Sequence, residues 1–408
     1  LKIDLRLRAQ TLRGFLQEEI MHNFSYYVPT EIVFGAGSVE KTAEMVKKHG
    51  AGRVLVVYGG GSAKKSGLID RLSAQFRDAG LAFETLGGVH PNPRLGFARE
   101  GVKLAQSFRA DLILAVGGGS VIDTCKAIAH GAANPGTDIW DFWKKRRTLT
   151  RSMPVGVVLT IPAAGSETSD SAVLTDEVVG EKRGLNTDLN RPVFAIMDPA
   201  LAATLPRRQA ACGVTDIMMH TMERYFSPVT GNEMTDAIAE ALLRNVIRFG
   251  PAAAENPADP EAMSEIMWAG SLSHNGLTGL GGQKDFATHQ LGHAISEKFD
   301  SIHGESLSAV WGSWARYVMG TNPERFARFA QNVWGIEPEA EAGIAATEKF
   351  FASLGMPLCL SELGVGVQDE DGLADLALRC SYQKTREIGS FRRLGYDDIL
   401  EIYRAANH

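Results

Sequence analysis

The sequence predicts an α/β half followed by an all-α half: a mostly parallel sheet, covered by helices on both faces, over residues 21–205, and a helical domain over 206–408. Three observations predict it. Between Glu31 and about Leu205, short apolar runs alternate with helical stretches, the signature of βαβ units. Two of those runs end in three consecutive glycines, Gly59–Gly61 and Gly117–Gly119. From Gln209 onward apolar residues recur at three- and four-residue spacing, as in Ile238, Ala241, Leu242 and Val246, with hardly a strand-like run.

Glu31–Phe34 opens the order. Arg53–Val57 is a strand running through Tyr58 into the first glycine turn, followed by a helical stretch from Ser66 to Ala79 and a strand from Ala82 to Leu86. Pro91-Asn92-Pro93 is a break before a helix from Leu95 to Phe108. Leu112–Val116 then feeds the second turn, Gly117–Ser120, whose helix runs to about Ala132. Val155–Thr160 and Val193–Met197 are further strands, the second closed by Asp198-Pro199, and the boundary between the halves falls near Leu205. Residues 1–20 mix basic and acidic side chains without a continuous apolar segment, so they do not read as a secretory signal. With Leu1 at the start and Met21 just before the first element, they are expected to be an extension, cloning-derived or mis-started.

Composition narrows the function. A length of 408 residues allows two or three domains, and 44% hydrophobic against 22% charged residues excludes disorder and long coiled coil. The 42 basic and 48 acidic residues leave a charge of −6, without the footprint of a nucleic-acid binder. Cys125, Cys212, Cys359 and Cys380 form no CxxC pair, which argues against a disulfide framework and a thiolate zinc site and fits a cytoplasmic setting. Apolar runs stop after about five residues, far short of a membrane span.

A strand that delivers glycines into a helix suits phosphate, because the backbone can approach closely and the helix N-terminus offers free N–H groups. Neither turn satisfies GxGxxG, since Lys64 and Ile122 occupy the third glycine position. One GGG alone is as readily a tight turn; two, at the ends of two strands, point to a nucleotide. Asp123 is either a first-turn carboxylate favoured by the helix dipole or a partner for a ligand hydroxyl or amide.

His289, His293 and His303 fall within fifteen residues, where ten histidines in 408 would place about 0.4 by chance. His289 and His293 stand at i and i+4, so they share a helix face and one or both reach a single metal. Asp216 and His220 repeat that spacing. Either pair alone reads as a surface pair or core histidine; both in one helical half, with His303 close behind, read as a site. There is no HExxH. One oxygen and up to three imidazoles suit Fe(II) or Zn(II), leaving a position open for substrate.

These residues resemble the iron-containing, or group III, alcohol dehydrogenases, and within them the NADP-dependent butanol dehydrogenase and aldehyde reductase branch. The resemblance runs from Met21 to the C-terminus. It is carried by Pro29–Gly35, the Gly59–Ser62 turn, Pro91-Asn92-Pro93, Gly117–Asp123, Leu159–Glu167, Asp198-Pro199, Asp216 with His220, and the three histidines. It implies an α/β dinucleotide-binding domain joined to an all-helical metal-binding domain, as in dehydroquinate synthase. It also implies Asp216, His220, His289 and His303 as metal ligands and His293 as a non-ligand histidine that moves a proton or shapes the pocket. Gly118, Gly119, Ser120 and Asp123 would bind the cofactor, with Thr160 and Lys182 as further contacts, and Gly60, Ser62 and Asn92 belong to the same expected site.

NAD-using relatives often carry an aspartate after the first glycine-ended strand. Here that position is Gly59, followed by Gly60, Gly61 and Ser62 with Lys64 and Lys65 nearby, so NADP(H) is expected over NAD(H). Ala164 departs from a frequent threonine, and His274 has no family role. The expected reaction passes hydride between NADP(H) and a small aldehyde or primary alcohol, the metal acting as Lewis acid on the substrate oxygen. His293 is expected to relay the proton because an unperturbed imidazole titrates near neutrality. Trp140, Phe142, Trp143, Trp268 and Phe286 are candidates for the substrate channel, and a homodimer or larger assembly is expected. The rivals are a metal-dependent hydrolase or an NAD-using lyase of the dehydroquinate synthase type, and a nucleotide-binding protein without catalysis.

Overall fold

The structure, a computed structural model, describes residues 21–408; the predicted extension over 1–20 lies outside the described residues. Its strands are β1 (Glu31–Phe34), β2 (Arg53–Gly59), β3 (Ala82–Val89), β4 (Leu112–Gly117), β5 (Val155–Leu159), β6 (Ser171–Asp176), β7 (Glu181–Asn186) and β8 (Phe194–Met197). Six of them form one parallel sheet in the order β1-β8-β5-β4-β2-β3. All six residues of β4 and all five of β5 are buried, as expected of strands covered on both faces. Between and beside them run α1 (Thr42–Lys48), α2 (Ser62–Lys65), α3 (Leu68–Asp78), α4 (Leu95–Phe108), α5 (Gly119–Ala133) and α6 (Trp140–Trp143).

The chain steps outward from β2 to β3 and then crosses back to β4 on the other side of β2. Such a reversal opens a crevice at the carboxyl ends of the strands, where open α/β sheets bind ligands. Tyr58 pairs with Val116, so the two glycine turns emerge side by side at that crevice.

Three details differ from the sequence expectation. The helix expected from Ser66 to Ala79 begins two residues later, as α3, because Gly67 with its φ of 75° separates it from the short α2 that precedes it. β3 continues three residues past Leu86 to Val89. The hairpin β6–β7 was not expected. Its β7 strand, EKRGLN, offers little apolar alternation because Ala172 and Leu174 of β6 carry the burial, packing with Leu95, Trp140, Phe142 and Trp143.

The second half holds α7 (Arg207–Tyr225), α8 (Glu233–Glu255), α9 (Pro260–His274), α10 (Ala287–Phe299) and α11 (His303–Val318). It ends with α12 (Pro323–Phe329), α13 (Ala340–Ser353), α14 (Glu370–Cys380) and α15 (Tyr396–Ala405). α7 is buried on all sides from Ala210 to Tyr225, with the other helices wrapped around it. One apolar cluster joins Ile113, Val157 and Met197 of the sheet to Val214, Ile217 and Met218 of α7.

Glycines set how closely α7 is approached. A Cβ on Gly213 would lie 2.3 Å from the carbonyl oxygen of Pro162, and one on Gly304 would lie 2.6 Å from that of Cys212. Missing side chains therefore let α7 seat against the loop after β5, and α11 against α7. Gly213→Ala is expected to lower unfolding free energy by about 1–3 kcal/mol, because the obstructing atom is backbone and cannot rotate away. Urea denaturation of the metal-free protein measures it.

Candidate active site

A cavity of about 1090 Å³ lies between the carboxyl ends of β2 and β4 and the helices α7, α10 and α11. On the sheet side its wall includes Gly59, Gly60, Ser62, Asn92, Gly117–Ser120, Asp123, Thr160 and Lys182. The helical side contributes Asp216, His220, His289, His293 and His303. Every cofactor and metal residue expected from the sequence thus lines one cavity.

The glycine turns differ in why they need glycine. A Cβ on Gly118 would come within 2.9 Å of Ile161, and one on Gly119 within 3.1 Å of Ala164, so close packing of the 161–164 loop fixes both. Gly60 faces open space, and Gly61 has a φ of 137° that side chains rarely adopt. No side chain caps the N-terminus of α5, leaving its first-turn amides available to an anion. Lys64 and Lys65 are exposed on α2 and do not reach the cavity wall, but Arg94, on the loop after β3, does.

Asp123 is engaged within the protein. It accepts hydrogen bonds from Ser166 Oγ at 2.5 Å and Val173 N at 2.8 Å, tying α5 to the hairpin. Fully buried Lys126, one turn on, donates to Ser166 Oγ and the Ser171 carbonyl, and burial lowers its pKa to about 8. Lys182 donates to Asn92 Oδ1 at 3.0 Å, and Asn92 donates in turn to Asp300 at 3.1 Å. Burial likewise lowers Lys182 to about 8.

Around the second constellation, Asp216 Oδ1 is the centre. It lies 3.3 Å from His220 Nδ1, 3.6 Å from His289 Nε2 and 3.8 Å from His303 Nε2. The tightest group, with potential ligand atoms within 4.8 Å of one another, is Asp216, His289 and His303; His220 stands beside it. Asp216 Oδ1, His220 Nδ1 and His289 Nε2 are buried with no hydrogen-bond partner among the described residues. A carboxylate oxygen and imidazole nitrogens left bare and facing one another fit a divalent cation, because each uncompensated buried polar atom costs about 1–3 kcal/mol.

Glu223 was missed in the sequence, although it lies on α7 seven residues from Asp216 and three from His220. Its carboxylate accepts from His289 Nδ1 and, at 3.0 Å, from the His289 backbone N–H. That contact holds the proton on Nδ1 and turns Nε2 towards Asp216, the arrangement of a metal-ligating histidine backed by a carboxylate. Burial alone would lower the His289 pKa, but Glu223 and Asp216 together raise it to about 9.

Burial pushes His220 and His293 well below the ordinary imidazole value, and His303 down to about 3 although 29% of its side chain faces the cavity. His293 is therefore neutral, which corrects the expectation that it titrates near neutrality; its ring stacks 5.3 Å from that of His303. His274 lines the cavity with its ring 4.0 Å from that of His220. Among the five aromatic candidates, only Trp143 and Phe286 line it. Trp140 and Phe142 belong to the core beneath the hairpin, and Trp268 packs edge-on against Phe34.

Family models fit nearly the whole described chain. Residues 29–199 match the iron-containing alcohol dehydrogenase model, and residues 209–407 match the C-terminal model of the Fe-containing alcohol dehydrogenase family. The chain belongs to the iron-containing alcohol dehydrogenase family. NADH-dependent butanol dehydrogenase A of Clostridium acetobutylicum is 39% identical over 94% of this chain and 99% of its own. The NADPH-dependent aldehyde reductase YqhD of Escherichia coli is 34% identical over 95% and 100%. The crystal structure of NADH-dependent butanol dehydrogenase A from Thermotoga maritima superimposes with a TM-score of 0.91 at 33% identity, covering 96% of this chain and all of that one. No helix of the described residues is long and apolar enough to cross a membrane.

Proposed function

We propose that this family member is a metal-dependent alcohol dehydrogenase working as an aldehyde reductase on small aldehydes and primary alcohols. The observation that carries the reading is the set of bare, buried ligand atoms around Asp216 in the same cavity as the two glycine turns. Asp216, His220, His289 and His303 would hold Fe(II) or Zn(II). Gly60, Ser62, Asn92, Gly118, Gly119, Ser120, Thr160 and Lys182 would bind the dinucleotide, with Asp123 and Lys126 bracing the wall behind them.

When bound, the metal supplies Lewis acidity to the substrate oxygen and the nicotinamide supplies hydride. The protein does the rest. α5 presents an uncapped N-terminus to the pyrophosphate, Lys182 and Asn92 close the side of the cavity, and Glu223 fixes the tautomer of His289. His293, held neutral, hands a proton between the substrate oxygen and solvent. His293→Ala is expected to lower kcat about tenfold, because water replaces part of the relay; an unchanged kcat and pH profile would remove that role. The lyase reading gains no support from the relatives, whose names are dehydrogenase and reductase.

The cofactor is proposed as NADP(H). No carboxylate follows β2, and Ser62 and Arg94 add a hydroxyl and a cation to the neighbouring cavity wall. The reading also includes a homodimer or larger assembly and a reducing, cytoplasmic setting, the latter consistent with four free cysteines. The test is oxidation of NADPH and of NADH by butanal, with protein stripped of metal and reloaded with Fe(II) or Zn(II). Metal-dependent turnover with kcat/KM at least about tenfold higher for NADPH is expected. Equal efficiency with both cofactors overturns the preference, and turnover with neither overturns the reductase.

A further inference from the structure

Among the described residues, Arg224 is the one arginine or lysine of the cavity wall with buried side-chain nitrogens that have no hydrogen-bond partner, and it is 2% exposed. Its Nη1 donates to the His220 carbonyl, while Nε and Nη2 are buried with no partner among the described residues. The guanidinium carbon lies 4.9 Å from the Phe286 ring centroid, and that ring is 5.1 Å from the ring of His289, so the guanidinium stands within about 10 Å of the proposed ligand cluster. Phe286 is itself held at a positive φ of 56°, a conformation that side chains adopt at a cost.

Nearby charges find partners: Lys284 lies 3.8 Å from Asp170, Arg191 is bonded to Asp188, and Glu223 is taken by His289. The Arg224 guanidinium makes no ion pair with a carboxylate among the described residues. It lies away from the glycine turns: Gly213 of α7 abuts the loop after β5, and Arg224 is eleven residues further along, about 16 Å at 1.5 Å per residue.

We infer that the substrate carries a carboxylate at the end remote from its carbonyl, and that Arg224 binds it. This inference rests on the reductase reading. A planar guanidinium with Nε and Nη2 both unused matches the two oxygens of a carboxylate. Two or three methylenes between carbonyl and carboxylate suit the separation of Arg224 from the histidines. Arg224 is then a specificity residue, and the substrates are ω-oxo acids and their ω-hydroxy counterparts.

The experiment compares 4-oxobutanoate and 5-oxopentanoate with butanal and pentanal on the metal-loaded wild type, Arg224→Met and Arg224→Lys. Expected are a kcat/KM favouring the oxo acids about 10- to 100-fold in the wild type, loss of that ratio in Arg224→Met, and partial retention in Arg224→Lys. Calorimetry adds a readout without turnover: glutarate binds the wild type, glutaramide does not, and glutarate binding is lost in Arg224→Met. Butanal reduced as efficiently as 4-oxobutanoate overturns the inference and leaves the reductase intact. Preference for glyceraldehyde 3-phosphate over the oxo acids overturns the choice of carboxylate. No turnover of any aldehyde overturns both readings.

Discussion

Asp216→Ala is expected to retain less than about a tenth of an equivalent of divalent metal and to reduce butanal about a thousandfold more slowly than the wild type. The reason is geometric. Asp216 Oδ1 lies within 3.8 Å of a nitrogen of each of the three histidines His220, His289 and His303, and Asp216 contributes the carboxylate of the tight ligand group. Without it the tight ligand group loses its carboxylate and keeps only imidazoles.

Metal retention separates this role from a structural one. Metal retained at one equivalent by elemental analysis in Asp216→Ala would assign Asp216 to packing instead.

The parts of this site that were legible in the sequence are those with short-range constraints. Asp216 with His220 and His289 with His293 are fixed by helical spacing, and the glycine turns by the demand for bare backbone at strand ends. Groups whose role depends on which element lies opposite were not legible. Glu223 looks like any carboxylate on α7 until α10 brings His289 against it, and Arg224 like a solvated arginine until burial removes its water. Asp123 shows the converse: its position after the glycine turn suggests a ligand contact, and it does line the cavity, but its bond to Val173 of the unforeseen hairpin was not legible. That hairpin escaped notice because β7 is polar along most of its length and gains its order from pairing with β6.

Glu223→Gln is expected to weaken metal binding about 10- to 100-fold and to change how binding depends on pH. In the metal-free wild type the His289 pKa of about 9 means that the imidazole is protonated at pH 7, with Nδ1–H on Glu223 and Nε2–H towards Asp216. A metal at Nε2 must expel that proton. The other imidazoles of the cluster have pKa values pushed below the ordinary one, so they bind without releasing any. Zn(II) binding at pH 7.5 should therefore release close to one proton, and its affinity should rise about tenfold per pH unit up to about pH 9.

Glutamine keeps a hydrogen bond to Nδ1–H but removes the charge that raises the His289 pKa, leaving burial free to lower it. In Glu223→Gln the released proton and most of the pH slope should disappear, while affinity falls because Nε2 is a weaker donor and is held less firmly. A residue that served only packing would lower affinity without altering the proton count. Zinc titrations between pH 6.5 and 8.5 in two buffers of different ionisation enthalpy separate the two. A variant that still releases one proton would show that the charge on Glu223 does not set the state of His289.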